Sequence, residues 1–256
     1  MVDLPKTPSY RLDGKRALVT GAGRGIGLAA SAALAEHGAA VTLVSRTATE
    51  IDAVAAAIRA RGQTADALAL DVTDIEAVRK AVAERGPFEV LVNNAGWTRP
   101  SPMIDVTIDD YDKVMGINLR AAYFAAQAVV RGLVAAKRPG SIIHLSSQLG
   151  HVGMSGRTVY SATKHAIEGL TKSMAVELAP RGIRVNALAP TYIATPLTRP
   201  LFENNKAFLD EVLSKIPLGR LGEVQDLMGA IVYLASDASA LVTGTSLVVD
   251  GGWTAA

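Results

Sequence analysis

The sequence predicts an α/β fold, a doubly wound parallel sheet of about seven strands with helices on both faces. Three observations predict it. Short apolar runs alternate with longer stretches of helical periodicity from one end of the chain to the other. Several of the runs are apolar throughout rather than at every second position, as strands covered on both faces require. Gly38, Gly62, Gly86 and Gly182 fall where helical stretches should stop, each suited to a left-handed C-terminal cap. Strand, helix and strand in regular succession imply right-handed crossovers, hence a parallel sheet. The 256 residues are 49% hydrophobic, enough for a large core, and carry no repeat or linker, so residues 1–256 read as one domain.

The first strand is ALVT (17–20), and TGAGRGIG (20–27) follows it directly. A helix opens there, with Ile26, Ala29, Ala30, Ala33 and Leu34 on one side. Glycines let the chain turn tightly and let a pyrophosphate approach the backbone, while the helix N-terminus supplies N–H donors and a positive dipole end. Gly21, Gly23, Gly25 and Gly27, with Arg24 and Ile26 between them, are thus candidates to hold a dinucleotide in a Rossmann-type domain. A tight turn without a ligand is the competing reading.

The second strand, VTLVS (41–45), should choose the cofactor. An acid about twenty residues beyond the glycines takes the adenosine ribose hydroxyls, whereas an arginine accommodates a 2′-phosphate. Here the chain reads Ser45-Arg46-Thr47, with no carboxylate. Arg46 and Arg24 together suit a phosphomonoester dianion, which points to NADP(H) over NAD(H). Helical faces follow at Ile51, Val54, Ala55 and Ile58, then at Ile75, Val78 and Val82, on either side of the strand LAL (68–70).

VLVNN (90–94), SIIHLSS (141–147), IRVNALA (183–189) and SLVVD (246–250) complete the strands. Asn93-Asn94-Ala95-Gly96 and Ser146-Ser147 stand at the carboxyl edge, where open α/β sheets hold ligands. Asn118 sits in a long helix. A further helix runs to about Ala179 and carries Tyr160 and Lys164 at i and i+4, one turn apart on one face. A free tyrosine, with a pKa near 10, is a poor base at neutral pH. A neighbouring ammonium favours the phenolate, which would let Tyr160 exchange a proton with a carbonyl or alcohol oxygen. The segment from Pro196 to Gly222 breaks the rhythm with three prolines and helical periodicity. It reads either as a surface excursion or as a substrate lid at about 194–218.

Other chemistries are disfavoured. A net charge of +2 gives no sign of nucleic acid or an anionic membrane surface. The absence of cysteine removes disulfides and thiolate metal sites. MVDLPKTPSYRLDGK lacks the apolar stretch of a secretory signal, and no run of about eighteen apolar residues suggests a membrane span, so a cytoplasmic protein is expected. Asp109, Asp110 and Asp112 resemble a carboxylate cluster but read as the first turn of a helix capped by Thr107, so no metal is expected. His144 and His151 read as core or rim residues.

Together these motifs resemble the short-chain dehydrogenase/reductase family in its common form, over essentially Gly14 to Gly252. The resemblance rests on TGAGRGIG, Asp71 in ALALDV, NNAG (93–96), Asn118 in GINLR, Ser147, YSATK (160–164), IRVNALAP and the closing VVDGG. It implies that Ser147 orients the substrate oxygen, thirteen residues before Tyr160, the general acid or base. It further implies that Lys164 binds the nicotinamide ribose and lowers the tyrosine pKa, and that Asn118 fixes a water in the proton relay. Asp71 and Val72 would meet the adenine, Asn93, Ala95 and Gly96 the adenosine side, and Pro190, Ile193 and Thr195 the nicotinamide carboxamide. Trp97, Gln148, Met154 and Tyr192 would meet substrate. Similarity is greatest to 3-oxoacyl-[acyl-carrier-protein] reductases and gluconate 5-dehydrogenase-like enzymes, so the expected substrate is a 3-oxoacyl thioester or a sugar acid or polyol. A basic entrance built from Arg99, Arg199 and Lys206 would favour the acyl carrier. An NAD-dependent enzyme of the family and a non-catalytic cofactor sensor are the alternatives, and a homotetramer is the implied assembly. One departure is Pro190-Thr191, where the family usually has Pro-Gly; it puts in question the backbone around Tyr192 and Ile193.

Overall fold

In the computed structural model, which describes residues 2–196 and 198–255, seven parallel strands lie in the order β3-β2-β1-β4-β5-β6-β7. The order reverses between β1 (Arg16–Thr20) and β4 (Val90–Asn93), opening a crevice at their carboxyl ends. On one side of β1 lie β2 (Ala40–Ser45) and β3 (Ala65–Ala69); beyond β4 come β5 (Gly140–Leu145), β6 (Ile183–Pro190) and β7 (Ser246–Val249). The unbroken apolar runs are buried along nearly their whole length in β1, β4, β5 and β6, because helices cover both faces.

One core joins the sheet to α1 (Gly25–Glu36), α2 (Ala48–Ala60) and α9 (Gln225–Ala235) through Leu34, Ile51, Ile58 and Ile231. The opposite core uses α3 (Ile75–Arg85), α5 (Ala122–Ala136) and α6 (Thr158–Leu178) through Val82, Val129, Leu133 and Leu178. Each of these side chains stabilises the fold by about 1.5–3 kcal/mol on burial.

Three details differ from the sequence reading. β3 spans Ala65–Ala69 instead of residues 68–70, since an edge strand is half-exposed and its apolar residues do not run together. Ser146 and Ser147 lie just past β5, and the Ser147 hydroxyl accepts a hydrogen bond from the Leu149 amide, opening a single 3₁₀ turn. Gly38, Gly62 and Gly182 have positive φ, but Gly86 has φ −76°, because the residue before Pro87 is pushed toward extended backbone.

The segment after β6 folds as two short helices, α7 (Arg199–Glu203) and α8 (Lys206–Ser214), around a third apolar cluster. Phe202 stacks on Phe208 at 5.8 Å, and Tyr192 meets both rings edge-on at 5.6 and 5.9 Å. Trp253, from the C-terminal turn, lies 6.0 Å from Tyr192. Among the described residues no helix is long and apolar enough to cross a membrane.

Candidate active site

The glycine turn leaves β1 at Thr20 and enters α1 at Gly25. Gly21 has φ +65°, and a Cβ on Gly27 would strike the Gly21 carbonyl and come within 2.6 Å of Asn94 Nδ2. Gly27 can therefore carry no side chain, and the first turn of α1 itself holds no acidic residue to compete with an anion. Asn94 binds the turn to its neighbour: Nδ2 donates to the Thr20 carbonyl (2.9 Å) and the Gly21 carbonyl (3.2 Å). The amides of Asn94 and Ala95 both donate to the Thr20 hydroxyl, at 3.0 Å each. Asn93 lies beneath, buried, with its amide donating to the Ala122 carbonyl at 2.6 Å; it supports the crevice from below. On the other side the Thr195 methyl would stand 3.3 Å from a Cβ on Gly25, so the start of the α7–α8 segment touches the glycine turn.

Arg24, in the glycine turn, and Arg46, which follows Ser45, are both exposed; the Ser45 hydroxyl accepts the Thr47 amide at 3.1 Å. Arg46 lies 3.9 Å from Asp71, an exposed pair worth little. Burial works against the Asp71 carboxylate, but two hydrogen bonds from Thr73 and the Arg46 charge outweigh it and hold the group below the usual carboxylate range. Val72 packs on the core beside it. Sequence reading passed over Glu50, whose carboxylate would lie 2.7 Å from a Cβ on Gly23, next to Ser45. In the sequence it was indistinguishable from an ordinary first-turn acid of α2.

Tyr160 projects from the first turn of α6, and Lys164 one turn later is buried. Lys164 Nζ donates to the Leu145 carbonyl at 2.6 Å and lies 5.5 Å from the centre of the Tyr160 ring. Burial drives the Lys164 pKa down to about 8, opposed by the carboxylate of Glu168. The crowding of protein around the Tyr160 phenol raises its pKa; Ser147 and the charge of Arg157 pull the other way. The Lys164 ammonium sits over the ring face, committed to a backbone carbonyl. The Ser147 hydroxyl donates to Gln148 Oε1 at 2.8 Å, and Gln148 is fully enclosed.

Asn118 occupies a π-turn (116–121) between α4 (Ile108–Met115) and α5, an irregularity common at functional sites. Its Oδ1 accepts the Trp97 amide at 2.8 Å while Nδ2 donates to the Trp97 carbonyl at 2.9 Å. Both amide atoms hold the loop after Gly96, which is exposed, and fix where Trp97 stands. Met154 and Tyr192, expected to touch substrate, meet each other: the Tyr192 hydroxyl donates to Met154 Sδ at 3.4 Å.

Thr191 needs no glycine geometry, since the sole positive-φ non-glycine among the described residues is Lys137. Pro190 ends β6, and Ile193 is buried and bridged to Gly222. His144 is buried, and desolvation with the Lys164 charge lowers its pKa to about 4, so it is neutral near pH 7 and no proton donor. Thr107 caps α4 through the Asp110 amide; Asp109 and Asp110 fall in the first turn, while Asp112 lies beyond it. Among the described residues, no three His, Asp or Glu side chains are grouped to hold a metal.

A family model described as enoyl-(acyl carrier protein) reductase matches residues 21–254. L-xylulose reductase of Bos taurus is 42% identical over 96% of this chain and 98% of its own length. Gluconate 5-dehydrogenase of Gluconobacter oxydans is 40% identical over 96% of each chain. The crystal structure of a gluconate 5-dehydrogenase from Burkholderia cenocepacia, in complex with NADP and tartrate, matches with a TM-score of 0.92 and 41% identity, covering 96% of this chain and 98% of that one. The chain belongs to the short-chain dehydrogenase/reductase family.

Proposed function

We propose that this protein is an NADP(H)-dependent oxidoreductase that interconverts a carbonyl and a secondary alcohol on a polyhydroxylated substrate. The observation that carries the reading is convergence at one sheet edge. The glycine turn after β1, the exposed Arg24 and Arg46, the buried Ser147 and Lys164, and the half-buried Tyr160 all lie at or just beyond the carboxyl ends of β1, β2 and β5 or on α6, which follows β5.

The residues suit NADP(H): the turn admits a pyrophosphate, and two exposed arginines, Arg24 on the turn and Arg46 after β2, suit a 2′-phosphate. When bound, the nicotinamide supplies or accepts the hydride at its C4. The chain's own residues do the rest. Ser147 orients the substrate oxygen by hydrogen bonding, and Tyr160 gives that oxygen a proton in reduction or takes it in oxidation. A raised phenol pKa keeps Tyr160 protonated, as the donor in reduction must be. Lys164 holds the ribose and passes on the proton. Asn118 spends its side chain on Trp97, so any relay water it holds sits on its backbone carbonyl. The α7–α8 segment serves as the lid, from about residue 194 to 218, with Met154 and Tyr192 at its hinge with the site.

A polyol or sugar-type substrate is favoured over an acyl carrier protein. Two of the three residues of the basic entrance that an acidic carrier would need are paired with carboxylates: Arg99 with Asp110 at 3.1 Å and Arg199 with Glu223 at 3.6 Å. The relatives named for L-xylulose and gluconate agree with this choice. NADPH consumption across ketoses, keto sugar acids and acetoacetyl thioesters tests the reading. Turnover concentrated in the first two classes is expected; turnover of the thioester alone would refute it.

A further inference from the structure

Glu168 is a buried acid that the proton transfer described above does not use. It is 7% exposed and stands on α6 one turn past Lys164 and two past Tyr160, along one side of the helix. No lysine or arginine pairs with it among the described residues. The Ser246 hydroxyl donates to its Oε1 at 3.0 Å, and His151 Nε2 lies 3.4 Å from the same oxygen. Because Ser246 gives its one proton to the carboxylate, it can only accept from His151, whose Nε2 is 2.9 Å from the hydroxyl. That nitrogen therefore carries a hydrogen. The cluster ties α6 to the first residue of β7 and to the end of the turn that follows Ser147. Gly150 shows how closely that turn lies on the helix. A Cβ there would come within 3.1 Å of both Glu168 Cγ and the Lys164 carbonyl.

We propose that Glu168 is a positioning residue for Lys164: its buried carboxylate is the counter-charge that keeps the lysine an ammonium, and His151 and Ser246 clasp that carboxylate in place. The inference rests on the carbonyl–alcohol reading above and deepens it. Lys164 Nζ donates to the Leu145 carbonyl, so Glu168 acts on it through its field rather than by contact. Burial disfavours both charges, and each offsets that cost for the other. Burial alone pushes the lysine down, to about 8, and Glu168 is the group that opposes it. The other titratable groups facing the pair are Tyr160 on the same helix and His144 on β5, which is neutral near pH 7. Lys172, one turn past Glu168, is exposed, and the guanidinium of Arg184 on β6 is spent on the Leu234 and Ser236 carbonyls. β7 brings the Ser246 hydroxyl and no charge.

The test labels the full chain with [ε-13C]lysine and follows the Lys164 signal, identified by its loss in Lys164→Met, against pH. Glu168→Gln keeps the shape of the side chain and the bond from Ser246 but removes the charge. It should lower the Lys164 midpoint by about 1, a tenfold loss of proton affinity. A lysine is an ammonium below its midpoint, so the alkaline loss of activity moves to lower pH and the acid side stays as it was. For the best substrate among ketoses, keto sugar acids and acetoacetyl thioesters, kcat/KM with NADPH should therefore fall about fivefold at pH 8 and hardly at pH 6. Glu168→Asp, which keeps the charge, should recover at least half of the change, and Ser246→Ala should lower the midpoint by less than Glu168→Gln does. A merely structural acid would leave the midpoint unmoved or lower kcat/KM alike at pH 6 and pH 8, and either result overturns the proposal. Should Glu168→Gln not fold, Ser246→Ala decides in its place, and an unmoved midpoint there overturns the proposal. A falling midpoint with no turnover of any of the three substrate classes upholds the counter-charge and sinks the carbonyl–alcohol reading instead.

Discussion

The cofactor side and the substrate side of this crevice are built by different means. Around Thr20 the contacts are polar and mostly backbone: the Asn94 and Ala95 amides, the Asn94 side chain and the glycine carbonyls hold one another within a few residues of β1 and β4. Around Tyr192 the contacts are rings and a thioether drawn from Met154, from Phe202 and Phe208 of the α7–α8 segment, and from Trp253, three parts of the chain far apart in sequence. A hydrogen-bonded turn tolerates little displacement, since an orphaned donor costs about 1–3 kcal/mol. An aromatic cluster reseats with modest loss. The first arrangement suits a cofactor of constant shape, and the second suits the proposed lid, which would part for each substrate.

The largest expected effect lies where the two sides meet. Tyr160→Phe removes the hydroxyl proposed as proton donor and leaves the ring in place. It should cut kcat by about a thousandfold or more, the upper range for general acid–base groups, while NADPH affinity changes by less than about twofold. Stopped-flow turnover and fluorescence titration of NADPH measure the two separately. Substantial remaining turnover would show that the chemistry uses another group.

A crossed pair of variants then tests the division itself. Arg46→Ala should lower the NADPH-to-NADH ratio of kcat/KM by about 10- to 100-fold, the worth of one or two charge-assisted hydrogen bonds, and leave substrate KM unchanged. Phe208→Ala strips the lid of a ring that stacks on Phe202 and meets Tyr192. It should raise substrate KM by about tenfold and leave the NADPH-to-NADH ratio alone, given about 0.5–1.5 kcal/mol for each aromatic pair. Thr195 is where the division could fail, because it belongs to the lid segment yet touches Gly25. If Phe208→Ala also weakens NADPH, lid and cofactor are coupled through that contact.

The same division explains what the sequence made legible. The glycine turn, the missing acid after β2 and the i, i+4 pair of Tyr160 and Lys164 are local patterns, and each states its own geometry. The exposed edge strand β3 lost its outline because burial, not composition, sets its limits. The contacts of Glu50 and Asn94 depend on which segments meet in space, and no spacing rule announces that. Lys164 illustrates the gap. Its place one turn after Tyr160 was readable, but not that its ammonium would be committed to the Leu145 carbonyl and pushed down to about 8.

The smallest effect concerns Glu50. Its carboxylate lies against Gly23 and near the Ser45 hydroxyl, on the ground where a 2′-phosphate would sit between Arg24 and Arg46. Two like charges close together at a partly solvated surface repel by roughly 1 kcal/mol or less, since water and salt screen them. Glu50→Gln keeps the shape of the side chain and removes that repulsion. The NADPH-to-NADH ratio of kcat/KM should therefore rise by about two- to fivefold at low salt, and the gain should shrink at higher ionic strength. A fall in the ratio would mean that Glu50 serves the 2′-phosphate indirectly, by orienting Arg24 or Ser45. In that case the cofactor side is a network of three charged side chains around a hydroxyl, and not two arginines on a bare turn.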